Sequence, residues 1–238
     1  MKDRFEPHPV TGQPIGLRVA DATPAQRPGP MTLQGHFGRV ERLDISHAPA
    51  MWRAVEGHDS IWTYMSRYGP FADKREFTQW VASRIPLQDP YSYAVIDANG
   101  NAVGIVALME IRPEHRVCEM GHVVYSPLLQ RTPLATEAQY LIAKHVFETL
   151  GYRRYEWKCE CNNAASRRAA QRLGFTFEFV MKNHMIAKGR NRDTAWFSML
   201  DTDWPRRKTS FERWLSPDNF NADGTQKFSL GALNGVHA

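Results

Sequence analysis

The sequence predicts an α/β fold, an α+β arrangement in which one mixed β-sheet is flanked by helices. Residues Glu119 to Phe175 read as strand, helix, strand, helix, and a strand–helix–strand unit naturally yields two parallel strands. An alternating meander precedes that unit, with Asn99-Gly100 as a hairpin turn. Two further strand candidates follow Phe175. About six to seven strands result, an ordinary sheet size, and no internal repeat is visible.

Each element has its own signal. Residues Met1 to Pro30 hold six prolines and no sustained apolar period, which predicts an arm either extended or laid over the domain. Leu33 to Leu43 alternates as a first strand. Asp44 or Ser46 can cap a helix running to about Gly57. His58 to Pro70 is irregular and aromatic, with Trp62, Tyr64 and Tyr68. Asp73 to Arg84 is a helical pattern with Phe77, Trp80 and Val81 on its inner face. Tyr91 to Ile96, Val103 to Ile111 and Val117 to Tyr125 are the meander, the last two joined by a turn near Pro113. After the polar connection Ser126 to Thr132, a helix carries Ala138, Leu141, Ile142, Val146 and Leu150 on one face, and Gly151 is placed to close it. Tyr152 to Cys159 is the next strand, and Asn162 to Leu173 is a helix that Gly174 stops. Thr176 to Ile186 and Thr194 to Leu200 are strands joined by the polar turn Lys188 to Asp193. The tail from Asp203 holds a short helix, Thr209 to Leu215, and a Gly/Asn-rich end, either strapping on the surface or part of a homodimer contact. The division expected is an arm at 1–32, one domain at 33–203 and an extension at 204–238.

Composition narrows the function classes. The chain has 238 residues, with 30 basic and 25 acidic side chains and a net charge of +5. That mild excess suits an anionic small-molecule ligand as well as a nucleic acid. Three cysteines, Cys118, Cys159 and Cys161, are too few for a disulfide framework, and Cys159-Glu-Cys161 lacks redox or zinc spacing. A reducing cytoplasm and no metal are therefore expected. No apolar run reaches membrane-spanning length, and Lys2 and Arg4 precede no apolar core of a secretory signal.

The chemical clue is the connection Leu129-Gln-Arg-Thr-Pro-Leu-Ala-Thr-Glu. Thr132 suits an N-cap and Pro133 the first helical position. The first turn of such a helix presents unpaired N–H groups and a partial positive charge. With Gln130 and Arg131 just ahead, it can hold a phosphate. A merely well-capped helix start fits the same residues.

These segments resemble the GNAT superfamily of N-acetyltransferases, nearest to the branch with the ribosomal-protein N-terminal acetyltransferases. The likeness rests on Glu119-Met-Gly-His, on Gln130-Arg-Thr-Pro-Leu-Ala135 running into Thr136-Glu137-Ala138, on Asn163-Ala-Ala-Ser166, and on Gly174-Phe175. It implies a GNAT-like fold and acetyl transfer from acetyl-CoA to a primary amine by direct attack, with a small amine or a peptide N-terminus as acceptor. It places the pantetheine arm against the strand at Val123, Val124 and Tyr125, where the strand Tyr155 to Cys159 splays away. The pyrophosphate would meet Gln130, Arg131, Thr132, Leu134, Ala135 and Thr136. Asn163 would bond a pantetheine amide, or cap its helix, and one of Arg167, Arg168 and Arg172, Arg168 foremost, would reach the 3′-phosphate.

For the chemistry, Glu119 is the candidate base, since a carboxylate in a partly dry cleft has a raised pKa. A structural ion pair with a nearby arginine is the alternative. His122 titrates near neutrality, but three positions along a strand it faces the other side unless a bulge intervenes. Ser166 matches a family serine near the thiol and can donate to the departing thiolate. Many relatives instead carry a tyrosine four residues before Gly-Phe, where this chain has Ala170. The first pair of helices borders the acceptor pocket in the family, so Trp62, Tyr64, Trp80 and His122 are candidate acceptor contacts, with core filling as the other role for the aromatics.

Two departures, Pro133 in place of a loop glycine and the absent tyrosine, leave room for a catalytically silent module that binds coenzyme A as a sensor. A nucleic-acid reading would use Arg153, Arg154, Arg167 and Arg168, but no aromatics interleave with them on a strand platform, so nucleic acid is not an expected partner.

Overall fold

The computed structural model describes residues 5–236. Two short strands, β1 (Phe5–Pro7) and β2 (Pro14–Gly16), pair as a separate hairpin within the arm. The remaining eight strands form one sheet, one or two more than the sequence suggests. The extra strand comes from the expected Leu33–Leu43 run, which is broken into β3 (Thr32–Gln34) and β4 (Gly38–Arg42). Its break is held from a distance. The Glu137 carboxylate accepts from His36 N–H at 2.6 Å and Phe37 N–H at 2.8 Å. Gly35 makes the approach possible, because a Cβ there would lie 2.3 Å from Glu137 Oε2.

Helix α1 (Ala48–Val55) follows a single 3₁₀ turn whose cap is Asp44. Helix α2 (Lys74–Arg84) is capped by Asp73, which accepts from Glu76 N–H at 2.8 Å. The meander is β5 (Tyr91–Asp97), β6 (Ala102–Arg112) and β7 (Val117–Tyr125). Its first turn closes with Gly100 at φ 81°, after an Asp97–Gly100 turn rather than a two-residue Asn-Gly loop. Helix α3 (Pro133–Lys144) continues as a π-helical turn over His145–Thr149 and ends against Gly151 at φ 77°. Then come β8 (Arg154–Glu160), α4 (Ala164–Arg172), β9 (Thr176–Ala187) and β10 (Arg190–Leu200). The β9–β10 turn is only Lys188-Gly189, at φ 49° and 74°, so the polar run Arg190–Asp193 belongs to the strand. Helix α5 (Trp204–Leu215) starts five residues before the expected one, and α6 (Leu230–Leu233) follows.

The strand order is β3-β4-β5-β6-β7-β8-β10-β9. Every neighbouring pair is antiparallel except β7 with β8, as the strand–helix–strand unit requires. Alternation divides the sheet between two cores. Tyr91, Tyr93 and Val95 of β5 join the cluster of α3, α4 and α5, while Ala94 and Ile96 join that of α1 and α2. The extension is part of the main core through Trp204, Phe211, Trp214 and Leu230. The arm is laid on the domain: Ala25 N–H donates to Pro113 C=O and Gln26 N–H to Leu150 C=O.

Candidate active site

The β7–β8 pairing runs from Val117 opposite Arg154 to Met120 opposite Trp157 and stops there. Beyond it the strands part. The gap opens into a cleft of about 2000 Å³ that runs from the α2 side past α3 and α4 to the C-terminal extension.

On its other side β7 carries an irregularity. Gly121 pairs with Ala107 and Val124 with Ile105, so three steps on β7 span two on β6. His122 takes up the extra residue at φ 49°, and neither it nor Val123 has a strand partner. Strict alternation would send Glu119 and His122 to opposite faces. The bulge turns both toward the cleft, together with Val123 and Tyr125. Val124 instead packs in the α1–α2 core, so only its backbone is available to a ligand.

Glu119 is 5 % exposed. Its cationic neighbour is a lysine, not an arginine: Lys158 Nζ lies 2.8 Å from Glu119 Oε2 and 3.1 Å from Glu156 Oε2. Lys158 also sits 3.8 Å over the Trp196 ring. Burial pushes the Glu119 carboxyl up to about 7, against the pull of Lys158. His122 is displaced the opposite way, to about 4, chiefly by burial and then by the nearby Arg84 and Arg67. Its Nδ1 is hydrogen-bonded to the Tyr68 hydroxyl, and the two rings stack with centroids 5.5 Å apart.

Ser166 stands across the gap on α4, where Asn163 Oδ1 caps the helix by accepting from Ser166 N–H at 3.0 Å. Trp157 Nε1–H donates to Ser166 Oγ at 3.0 Å. A lone pair of the hydroxyl is thus taken while its proton is left to donate. Cys159 also faces the cleft, and burial raises its thiol above the ordinary range, opposed by the Ser166 hydroxyl.

At the α3 end, much of the predicted cradle is satisfied within the protein. Leu129 and Gln130 N–H donate to Ser126 C=O, and Thr132 N–H to Leu129 C=O. Ala135 N–H donates to Thr132 Oγ1 at 3.2 Å, Pro133 has no N–H, and Gln130 Nε2 is held by Tyr125 C=O at 2.9 Å. Arg131, at φ 63°, and Thr136 line the cleft, whereas the Leu134 side chain is buried in the main core. Arg168 is exposed at the rim. Arg172 lies deeper. It donates to Thr136 Oγ1 at 3.0 Å and sits 4.9 Å over the Trp214 ring, with no carboxylate within ion-pair distance among the described residues.

At the other end, Tyr64 and Trp80 line the cleft. Trp62 does not: it is 2 % exposed and packs against Tyr68, Phe71, Phe77 and Trp80. Two side chains bridge the walls. Tyr64 Oη–H donates to Asn162 C=O at 3.2 Å, and Lys188 at the hairpin tip donates to Trp62 C=O at 3.0 Å and Gly69 C=O at 2.7 Å. Sequence reasoning passed over Lys158: that it shares a strand face with Glu156 is visible in the sequence, but the register that brings it to Glu119 is not. Among the described residues no group of three or more potential metal ligands gathers, and no helix is long and apolar enough to cross a membrane.

Residues 39–176 match the acetyltransferase (GNAT) domain family. A GCN5-related N-acetyltransferase from Brucella melitensis superposes with a TM-score of 0.88 at 41% identity, over 91% of this chain and 100% of that one. A GNAT-family protein from Chromobacterium violaceum gives 0.76 at 39% identity, over 81% and 98%. A ribosomal L7/L12 alpha-N-protein acetyltransferase shares the fold at a TM-score of 0.63 and 21% identity, over 76% and 99%. No curated protein matches the chain.

Proposed function

The chain belongs to the GNAT acetyltransferase family, and from that premise we propose that it moves an acetyl group from acetyl-CoA directly onto a primary amine. The observation that carries this reading is the meeting of Glu119, Ser166 and an unpaired stretch of β7 in one gap.

The residues suit the co-substrate. The free edge at His122 and Val123 offers backbone groups to the pantetheine amides in the manner of an added strand, and an N–H there suits the thioester oxygen. Asn163 Oδ1 is occupied as a cap, so only its Nδ2 is left for a pantetheine oxygen. Arg131, the first turn of α3 and above all Arg172 are the groups for the phosphates, Arg172 being a partly buried guanidinium without a counter-charge among the described residues.

Glu119 accepts the proton of the amine. With its carboxyl near 7 it is partly ionised at neutral pH and a stronger base than an ordinary carboxylate. Ser166 donates its hydroxyl proton to the departing sulfur. Cys159 is kept protonated by burial, which favours direct attack over an acetyl-cysteine intermediate. One cleft that takes both reactants would bring them side by side, a large source of rate by itself.

Calorimetry with acetyl-CoA and thiol release over a panel of amines tests this. Binding plus release is expected. Binding without release from any amine would instead favour the coenzyme A sensor, and no binding would remove both.

A further inference from the structure

We propose that Tyr68 and His122 form a positioning pair for the acceptor: Tyr68 donates its hydroxyl proton to His122 Nδ1, which fixes the imidazole proton on Nε2 and aims an N–H donor into the acceptor half of the cleft. The pair's role rests on the acetyl-transfer reading above.

The geometry is specific. Tyr68 lies in the aromatic loop between α1 and α2, and His122 lies on the β7 bulge, 54 residues away. Tyr68 packs on Trp80 with centroids 4.8 Å apart and stacks against the imidazole, so both rings are fixed. The only hydrogen-bond partner of the Tyr68 hydroxyl among the described residues is His122 Nδ1. An O–H with one available acceptor donates to it. His122 Nε2 has no partner among the described residues and is not among their buried, unsatisfied atoms, so it opens to the cleft that His122 lines.

Protonation states agree. Burial holds the Tyr68 hydroxyl protonated far above neutral pH. Burial, with Arg84 and Arg67 nearby and Asp89 opposing them, keeps His122 neutral. A neutral imidazole whose Nδ1 is an acceptor must carry its proton on Nε2. His122 is therefore a donor and not a second base. Glu119, one strand turn away, keeps the proton-accepting task. A donor at this point favours an amine with a lone-pair atom, an oxygen or unprotonated nitrogen, beside its amino group.

Two measurements decide it. Nitrogen-15 NMR of histidine-labelled protein at pH 7, with His122 assigned by its loss in His122→Asn, should show Nε2 protonated and Nδ1 bare. In Tyr68→Phe the two tautomers should mix. A protonated Nδ1, or a doubly protonated ring, in the parent protein would overturn the pair. Thiol release is then compared for 2-methoxyethylamine and its isostere n-butylamine. A preference for the ether of about threefold to tenfold in kcat/KM is expected from one hydrogen bond. His122→Asn and Tyr68→Phe should lower that preference through acceptor KM while acetyl-CoA KM holds. Release from both amines with no preference would sink the pair and leave acetyl transfer standing. Release from no amine at all would remove acetyl transfer and the acceptor role with it, while the NMR result would still judge the tautomer.

Discussion

The two halves of β7 are three residues apart and obey different rules. The half at Glu119 is paired on both sides, with Met109 and with Glu156. At His122 the strand is bulged, and there His122 and Val123 are paired on neither side although Gly121 and Val124 still pair with β6. Both side chains are drawn out of water, and both respond by favouring the neutral form. For the acid that means a pKa raised to about 7, and for the imidazole one lowered to about 4. On the proposed roles, the same burial suits one residue to act as a base at neutral pH and the other as a fixed donor. Local pairing decides which polar atoms remain open, and burial decides whether they carry charge.

The sharpest break of this contrast is Glu119→Gln. Turnover should fall about a thousandfold, within the range of general-base removal, with acetyl-CoA affinity unchanged by calorimetry. In the parent protein kcat/KM should rise with pH to a plateau through an apparent pKa near 7, because only the ionised carboxylate takes a proton. That limb should vanish in the variant. Normal turnover would remove Glu119 from the role.

Lys158→Met comes next. It leaves Glu119 and Glu156 facing one another without their shared cation, so unfolding free energy should drop by about 3 kcal/mol at pH 7, read from urea midpoints. The Glu119 limb should also move to higher pH, since Lys158 is the group that holds that carboxyl down. A limb that stays in place would mean the ion pair does not tune the base.

Arg172→Ala should weaken acetyl-CoA binding about tenfold, on the scale of a charge-assisted hydrogen bond, and leave acceptor KM alone. Thr132→Ala should cost about 1 kcal/mol of stability as a lost N-cap. A larger loss of acetyl-CoA affinity than of stability would show that the cap also touches the ligand.

The finest test separates the two halves by pH. Between about pH 4.5 and 7 the folded protein holds the Glu119 proton that the unfolded chain has lost, so this residue lowers stability as pH rises. Between about 6.5 and 4 the unfolded chain protonates His122 and the folded one does not, so this residue lowers stability as pH falls. Glu119→Gln should therefore steepen the loss of stability on acidification, and His122→Asn should flatten it. Denaturant midpoints from pH 4 to 7 give both slopes, and equal slopes in the two variants would contradict opposed shifts.

Much of the scaffold was legible. The β7–α3–β8–α4 order follows from apolar periodicity, and the caps Asp44, Thr132 and Asn163 follow from residue type. Glu119 and Ser166 were singled out because each sits in a motif that carries the resemblance, and the fold brings both to the cleft. The break between β3 and β4 was not legible, because Glu137 makes it from about a hundred positions away. Neither was Trp62 as core, since an aromatic serves a pocket and a core by the same burial. Lys158 as partner of Glu119 also stayed hidden, because it is chosen by strand register.

By itself, then, the sequence determined the order of strands and helices, the parallel crossover and the helix end that faces the cleft. These depend on neighbours a few positions apart, which period and capping encode. The tertiary structure alone decided that β7 carries one extra residue opposite β6, that Tyr68 meets His122, and that Arg172 meets Trp214 of the extension. Each depends on which distant backbones share a register, and the cost of drawing a charge from water is fixed only once those walls have closed around it.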